Sequence, residues 1–209
     1  MNILTKGQTQ MTLTPDSLPV ATPANAIQGP EQGQWTYDDY AAIPDDGKRY
    51  EVVNGVLFMS PAPNKWHQKT VGRIFRYLAA HIEDTGRGEV YIAPFDVELA
   101  PRFVVQPDVL ILLKPNLEKV TEKRVIGTPD LVVEVISPGT ATYDRREKLD
   151  AYIQAGVPEY WIVEPASRTI EVLTIEAGTY SSRGVFEGKI ILPSKAIADF
   201  PVYVEQFFA

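Results

Sequence analysis

The sequence predicts an α/β (α+β) fold, with one mixed β-sheet flanked by helices. Short apolar runs rich in branched and aromatic residues alternate with two helical patterns along the chain, which is typical of this class. Asn54-Gly55 stands between the first two of these runs. Asn-Gly is a preferred two-residue β-hairpin turn, because both central positions take a positive φ. The expected order is hairpin, helix, three strands, helix and two strands.

Composition excludes several classes of protein. The chain has 209 residues, of which 44% are hydrophobic, enough for the core of one domain. It has no cysteine, which excludes disulfides, thiolate metal sites and cysteine nucleophiles. No apolar run approaches the roughly 18 to 20 residues that a membrane helix needs, and no secretory signal is visible. We therefore expect a cytoplasmic protein that does not contact a membrane.

The first third of the chain divides into a tail and the start of the domain. Residues 1–34 are rich in Thr, Pro, Gln and Gly and show no periodicity, so we expect a flexible N-terminal tail and a domain spanning 35–209. Thr36 is placed to cap a short helix. The hairpin strands follow at 50–53 and 56–59.

A longer helix is predicted from Lys65 to about Asp84. Val71, Ile74 and Leu78 recur at helical spacing and define its buried side. His67 falls on that side, and the basic residues fall opposite: Lys65, Lys69, Arg73 and Arg76. Such a stripe is usually the solvated side of an amphipathic helix, and contact with DNA is the alternative.

The remaining elements are short. Runs at 90–99, 104–113 and 131–136 are predicted strands, bounded by Pro or Gly. Asp144 and Glu147 have the spacing of a capping box and predict the start of a second helix, which Gly156 and Pro158 end. Its apolar inner stripe consists of Leu149, Tyr152 and Ile153. Two further strands are expected at 159–163 and 169–175.

Charge is unevenly distributed. The formal net charge is −7, which argues against a protein that coats nucleic acid without specificity. The segment from Lys48 to Arg87 nevertheless holds seven basic and three acidic residues. This local excess permits a phosphate-binding face without requiring one.

Two acidic residues stand where apolar residues are expected. Asp108 and Glu134 each interrupt a predicted strand. An ionised carboxylate there is costly unless it is paired or binds a metal. Two carboxylates on successive strands could converge on a hard cation, Mg²⁺ or Mn²⁺. The alternative is that each lies at a strand end, solvated or paired with an arginine.

Lys148 adds a third chemical group. It lies fourteen residues after Glu134, on the first turn of the next predicted helix. A helix that packs back on the sheet can direct this lysine at the end of the strand. Two carboxylates that hold a metal and a lysine that stabilises developing phosphorane charge are the groups that metal-dependent phosphodiester hydrolysis needs.

These residues resemble a known family. Pro107-Asp108, Glu134 within the run 129–138, and Lys148 are similar to the PD-(D/E)XK nuclease superfamily. More closely, the chain resembles the restriction-endonuclease-like proteins of the Uma-two family, through the segments 50–52, 105–108 and 156–163. The resemblance covers roughly residue 35 to the C-terminus. A lone Pro-Asp has no value as a signal, since Pro15-Asp16 and Pro129-Asp130 also occur, but the ordered set is specific.

The resemblance implies a function and a set of ligands. It implies a magnesium-dependent (or manganese-dependent) endonuclease that acts on DNA, with Asp108 and Glu134 as metal ligands and the backbone carbonyl of Val135 as a third. In the superfamily a lysine usually stands two residues after the acidic strand residue, where this chain has Ile136. Lys148 is therefore the candidate for that lysine.

Two further residues are candidates for the catalytic site. Glu51 matches an acidic residue common in the family, and it is either a further ligand through water or an ion-pair partner of Arg49 or another cation. His67 is either a satisfied core histidine or a phosphate contact or acid–base group at the edge of the cleft. Gln106 could orient water or DNA, but hydrogen bonding at a strand edge is the simpler reading.

A non-enzymatic reading competes with the nuclease. In that reading the fold is a catalytically inactive module that binds nucleic acid or a protein partner, as the net charge of −7 and the lack of an appended DNA-reading module would allow. If the protein cuts both strands of a duplex, a homodimer with two-fold symmetry is the simplest assembly. Apolar residues near the C-terminus would then either close the core or form the interface.

Overall fold

The computed structural model describes residues 20–208, which form two six-stranded β-sheets and four short or medium helices. The α/β (α+β) class is confirmed, with mixed sheets flanked by helices. The number of sheets differs from the expectation, because the predicted strands are shared between two sheets instead of one. Within the described residues, no helix is both long and apolar enough to cross a membrane.

The first sheet contains the hairpin and has one parallel pair. In spatial order its strands are β1 (Thr22–Pro23), β3 (Val56–Ser60), β2 (Arg49–Val53), β6 (Phe103–Val105), β5 (Asp96–Ala100) and β8 (Arg124–Ile126). Only β5 and β8 are parallel.

The second sheet carries most of the buried strands. In spatial order its strands are β12 (Thr179–Phe186), β11 (Thr169–Glu176), β10 (Glu159–Glu164), β9 (Leu131–Val135), β7 (Val109–Leu113) and β4 (Gly88–Ile92). Only β9 and β10 are parallel. Every residue of β9 is buried, as expected for a central strand covered on both faces.

Two predicted strands each divide between the sheets. The run 90–99 becomes β4 and β5, and the run 104–113 becomes β6 and β7. The second division falls at Gln106-Pro107-Asp108, where the proline has no N–H to donate to a ladder. Asp108 therefore precedes β7 instead of interrupting a continuous strand.

The hairpin is confirmed at the predicted turn. β2 and β3 pair with Val53 opposite Val56, and Asn54 and Gly55 have φ values of 52° and 73°. These are the left-handed conformations that the two-residue turn requires. The turn brings Glu51 and Ser60 close together on neighbouring strands.

Helix α1 (Tyr37–Ala41) is capped by Thr36, and the long helix α2 (Lys65–Ile82) is confirmed close to its predicted bounds. The side chain of Asn64 caps α2 by accepting the N–H groups of Trp66 and His67. The apolar face of α2 packs on the second sheet beside the C-terminal segment. Phe200, Val202 and Phe207 of that segment are buried in this core.

The predicted capping box of the last helix is wrong. Helix α3 (Ala141–Tyr143) begins earlier, one π-helical turn follows at Asp144–Lys148, and α4 (Leu149–Ala155) completes the segment. Asp144 is 3% exposed and does not cap a helix. The wider turn places Asp144 and Lys148, four residues apart, on the same inward face.

The segment before Trp35 is folded where the structure describes it. β1 pairs with β3, and the Gln32 side chain accepts the N–H of Leu57 at 2.8 Å. Trp35 is buried against the hairpin with Ala24. Residues 20–34 therefore belong to the folded region, whereas the sequence placed them in a flexible tail. The rest of the expected tail, residues 1–19, lies outside the described residues.

Candidate active site

Asp108 and Glu134 lie side by side on adjacent strands. β7 and β9 are antiparallel with Val109 opposite Val133, so one further step places Asp108 beside Glu134. Directly opposed side chains in such a pair have Cβ atoms about 4.5–5.5 Å apart. Both carboxylates are buried, at 5% and 2% exposure, on the face of the second sheet that packs against the first sheet.

Asp108 is held by its neighbours through one oxygen. Its Oδ2 atom accepts the N–H of Val135 and the Nε2–H of His67, both at 2.9 Å. Oδ1 is 4.0 Å from the Arg49 guanidinium. Burial raises the pKa of Asp108, but His67, Lys148 and Arg49 together outweigh it and hold the pKa below its ordinary value. Asp108 is therefore ionised at neutral pH.

Lys148 links the two sheets. Its Nζ atom is 2.8 Å from Oε1 of Glu134 on β9 and 2.8 Å from Oε1 of Glu51 on β2. The Asp144 carboxylate is 3.9 Å away. Burial lowers the pKa of Lys148, but these three carboxylates raise it further, and the net shift is upward. Lys148 stays protonated and has one N–H that neither 2.8 Å contact uses.

Glu134 and Glu51 differ in how many of their carboxylate oxygens accept a hydrogen bond. Glu51 accepts the Gln106 backbone N–H through Oε1 at 2.7 Å and the Ser60 hydroxyl through Oε2 at 3.2 Å. Glu134 accepts the Tyr152 hydroxyl at 2.7 Å and Lys148, both through Oε1. Within residues 20–208, no hydrogen bond uses its Oε2 atom.

The pKa of Glu134 is raised to about 7. Burial is the largest cause, and the neighbouring Asp108 and Glu51 carboxylates add to it, while Lys148 opposes it. A carboxyl group that changes its charge near neutral pH is suited to exchanging a proton for a metal ion. Glu134, whose charge changes near neutral pH, therefore lies beside Asp108.

The carboxylates surround a small cavity. Four buried acids (Glu51, Asp108, Glu134 and Asp144) meet Lys148, Arg49 and His67. The cavity that most of these residues line measures about 30 Å³. One water needs roughly 10–15 Å³ measured in this way, so the cavity has room for about two waters or one ion.

The donor set fits a hard divalent cation. Asp108 Oδ1 and Glu134 Oε2 accept no hydrogen bond among the described residues, so each of these two carboxylates has one oxygen left for a ligand. Continuing the β7–β9 register places Val135 opposite Pro107, which has no N–H for the Val135 carbonyl. Mg²⁺ binds one or two carboxylates and keeps several waters. Among the described residues, no group of three or more His, Cys, Asp or Glu side chains is placed to hold a metal ion, so the side-chain ligands would be these two carboxylates.

All five sequence-predicted catalytic residues fall in this cluster: Asp108, Glu134, Lys148, Glu51 and His67. His67 combines both readings given to it, since it is buried on the inner side of α2 and also binds Asp108. Its Nδ1 atom is buried and has no hydrogen-bond partner in residues 20–208. Gln106 serves mainly as a bridge, because its side chain binds Arg49, Tyr40 and Asp96.

Sequence reasoning missed three members of the cluster. Asp144 was assigned to a helix cap, Tyr152 only to an apolar stripe, and Arg49 only to a pairing with Glu51. The i,i+4 spacing of Asp144 and Lys148 was a usable signal, because such residues share a helix face. The direction of the Tyr152 hydroxyl leaves no comparable trace in a sequence.

Glu159, a buried acid on the second sheet outside this cluster, has hydrogen-bond donors for its carboxylate. Glu159 on β10 accepts the backbone N–H groups of Lys195 and Ala196 at 2.6 and 3.0 Å. It also accepts the indole N–H of Trp161 at 2.6 Å. Fixed donors of the protein thus occupy both of its oxygens, so Glu159 anchors the C-terminal segment. This arrangement marks a structural carboxylate.

Comparison with known proteins agrees with the fold. The sequence profile of the Uma2 family, described as "Putative restriction endonuclease", matches residues 37–205. The fold resembles a crystal structure described as a putative nuclease belonging to DUF820 from Anabaena variabilis ATCC 29413, with a TM-score of 0.70. The two chains are 13% identical, and the alignment covers 83% of this chain and 97% of the other. A search of curated proteins gave no match.

The family match spans well over half of the chain, and it covers every residue of the buried cluster, from Arg49 to Tyr152. The structural likeness, at its low sequence identity, supports the nuclease-like fold alone. The segments that carried the resemblance in the sequence lie within the matched range. The chain belongs to the Uma2 family of restriction-endonuclease-like proteins.

Proposed function

We propose that this protein is an endonuclease that hydrolyses DNA phosphodiester bonds with the help of Mg²⁺ or Mn²⁺. The observation that carries the proposal is the pairing of Asp108 with Glu134 on neighbouring strands, with protonated Lys148 2.8 Å from Glu134. Both carboxylates keep one oxygen free of hydrogen bonds among the described residues. The nuclease-like family supports the reaction class.

Each residue has a defined part in this proposal. Asp108, Glu134 and the Val135 carbonyl would hold the cation, which supplies positive charge at the phosphate and makes a water more acidic. Lys148 would donate its remaining N–H to the negative charge that develops on the phosphate oxygens. Glu51 orients Lys148 from the other sheet. His67 holds Asp108 in place through the 2.9 Å hydrogen bond and favours its ionised form.

Incubation of supercoiled plasmid with Mg²⁺ or Mn²⁺, against an EDTA control, tests the proposal. The wild-type protein should nick or linearise the plasmid only with metal present. Glu134→Gln should abolish cleavage, because the amide cannot supply a negatively charged ligand. Glu176→Gln is the control, since Glu176 lies on β11 and pairs only with Lys195 and Arg183. Plasmid left intact under every metal condition would contradict the proposal.

Replacement of Lys148 separates charge stabilisation from metal binding. Lys148→Met should reduce cleavage by about 100-fold or more, as the loss of a transition-state donor does. Binding of Mn²⁺, measured by calorimetry, should survive because the carboxylates remain. Both variants leave Glu134 and Glu51 buried without a cation, and Lys148→Ala is expected to destabilise the fold further because it also leaves a cavity. Cleavage by Lys148→Met at the wild-type rate would limit Lys148 to a structural ion pair.

An inactive nuclease-like module is the second candidate. The observation in its favour is that Lys148 lies 2.8 Å from both Glu134 and Glu51, so these two carboxylates are paired with a cation in the absence of a metal. In this case the cluster would stabilise the junction of the two sheets, and the protein would bind nucleic acid or a protein partner without cutting. Failure to bind Mn²⁺ in calorimetry, together with intact plasmid, would favour this candidate.

Homodimer formation and a cytoplasmic location remain proposals. Phe200, Val202 and Phe207, which the sequence offered as an interface or as core, are used in the core. Tyr203 is 43% exposed and is the main apolar contribution of that segment to the surface. Light scattering at micromolar concentration tests the dimer, and a monomeric mass would contradict it.

A further inference from the structure

A larger groove opens beside the acidic cavity. It measures about 530 Å³ and is formed by the first two turns of α2, the turn after β9 and the loop after β10. His67 and Ser137 line both the groove and the acidic cavity. A chain lying in the groove would therefore pass directly by Asp108 and Glu134.

The groove is basic although the protein is acidic. Lys69, Arg73 and Arg168 line it, against a single acid, Glu164. Across residues 20–208, no carboxylate lies within 4.0 Å of any of these three cations. On a protein with a net charge of −7, three unpaired cations in one groove are complementary to an anionic ligand. Phosphate groups meet this requirement.

An aromatic ring stands at the edge of the same groove. Trp66, in the first turn of α2, is 60% exposed. The Nζ atoms of Lys65 and Lys69 lie 4.9 and 5.9 Å from the centre of its ring. Exposed tryptophan between two cations is the combination that nucleic-acid-binding proteins use to stack an unpaired base and hold its phosphates.

We propose that this groove binds an unpaired DNA strand, with one base stacked on Trp66 and the neighbouring phosphates on Lys69, Arg73 and Arg168. The inference rests on the proposed nuclease function and names its substrate class, a single-stranded or flapped segment. Stacking on Trp66 needs an open base face, which a continuous duplex does not offer. The strand would pass His67 and Ser137, which border the acidic cavity.

The spacing along α2 agrees with this occupant. Trp66, Lys69 and Arg73 lie at positions i, i+3 and i+7, on one face of the helix. From Trp66 to Arg73 the helix rises about 10 Å, at 1.5 Å per residue. A stacked strand advances about 3.4 Å per nucleotide, so this face spans about three nucleotides.

Binding measured in EDTA tests the groove independently of cleavage. We suggest fluorescence anisotropy with a labelled single-stranded DNA oligonucleotide and with the same sequence in a blunt hairpin duplex. The wild-type protein should bind the single strand more tightly. Trp66→Ala should weaken single-strand binding by about 5-fold or more, whereas Trp66→Phe should retain most of it, because stacking tolerates any aromatic ring.

The basic residues have a matched control on the same helix. Arg73→Ala should weaken binding and reduce its dependence on salt, since one phosphate contact is lost. Arg76→Ala removes the same charge from α2, but Arg76 stacks on Tyr77 and does not line the groove. This variant should bind as the wild type does. Circular dichroism confirms that each variant is folded.

The outcomes separate this inference from the proposed function. Single-strand binding that depends on Trp66 and Arg73, in a protein that never cleaves, would support the groove and overturn only the nuclease proposal. Equal affinity for the single strand and the duplex, or no effect of Trp66→Ala, would overturn the inference. A Trp66→Ala variant that changes the molecular mass in light scattering, with binding unchanged, would instead assign Trp66 to an interface between copies of the chain and also overturn it.

Discussion

The β7–β9 pair has a Pro-Asp dipeptide at each end, and the two aspartates differ in their surroundings and in their proposed roles. Pro107-Asp108 precedes β7, and Pro129-Asp130 precedes β9. Because the strands are antiparallel, the two dipeptides lie at opposite ends of the pair. In both dipeptides the aspartate carboxylate accepts a backbone N–H of the partner strand. Asp108 accepts Val135 N–H at 2.9 Å, and Asp130 accepts Leu113 N–H at 2.7 Å.

The surroundings of the two aspartates differ. The second oxygen of Asp130 accepts the Asn116 side-chain amide at 2.8 Å, and the residue is only half buried. The second oxygen of Asp108 faces Arg49 and lies beside the buried Glu134. The shared hydrogen bond explains why an aspartate is tolerated at both strand ends. Of the two aspartates, only Asp108 keeps a carboxylate oxygen that accepts no hydrogen bond among the described residues, and this oxygen is free to bind a metal ion.

The largest expected difference between the two ends is in cleavage. Asp108→Asn should reduce the cleavage rate at least about 100-fold, since even the outer partners of metal ligands contribute about 10–100-fold. Asp130→Asn should leave the rate within about a factor of three, because asparagine can still accept the Leu113 N–H. Plasmid nicking with Mn²⁺ measures both rates. Equal losses in the two variants would show that Asp108 acts through the fold.

The comparison also shows how much the sequence could predict. The hairpin and α2 followed from local signals, the Asn54-Gly55 turn and the apolar stripe. Placing acids on successive strands was enough to predict that Asp108 and Glu134 would meet. Which sheet each strand joins was not predictable, because an apolar run indicates burial and not the identity of its partner.

Side-chain direction limited the prediction of the site. Asp144 has the spacing of a helix cap, but a π-helical turn shifts the face on which it lies. Tyr152 fits an apolar stripe, and only its hydroxyl contact with Glu134 gives it a further role. For both residues the missing information is the direction of a polar group, although the helical segment that carries them was predicted.

Stability should distinguish the two aspartates much less than cleavage does. Asp130→Ala removes two hydrogen bonds to a carboxylate, which should reduce the free energy of unfolding by about 1.5–3 kcal/mol. Asp108→Ala also removes two hydrogen bonds to a carboxylate, from Val135 N–H and His67, so its loss should fall in the same range. Urea denaturation of the metal-free protein compares the two. A larger loss for Asp108→Ala would indicate that the cluster mainly stabilises the fold.

The affinity of the Asp108–Glu134 pair for a metal ion should depend on pH. The pKa of Glu134 is raised to about 7, so below that pH a proton competes with the cation for this carboxylate. Affinity for Mn²⁺ should therefore rise with pH, by up to about tenfold per unit below pH 7, and level off above it. Calorimetry at several pH values measures this. An affinity that does not change through this range would exclude Glu134 as a ligand that loses a proton on binding.

The smallest effect is expected from the hydroxyl that orients Glu134. Tyr152 donates to Glu134 Oε1 at 2.7 Å, on the side of the carboxylate away from its free Oε2 atom. Tyr152→Phe removes this bond, yet Lys148 still holds the same oxygen. Cleavage should therefore fall by only several-fold, with weaker Mn²⁺ binding, because the carboxylate keeps its charge and loses only part of its orientation.

Tyr160→Phe is the matched control, because Tyr160 is an equally buried tyrosine that donates to the Asp144 backbone carbonyl at 3.2 Å. Each variant loses one buried hydroxyl and keeps its ring, so their changes in the free energy of unfolding should be similar, about 0.5–1.5 kcal/mol. Only Tyr152→Phe should weaken the affinity for Mn²⁺. A matching loss of affinity in Tyr160→Phe would show that the effect comes from packing, since Tyr160 makes no hydrogen bond to Glu134 in the described part of the chain.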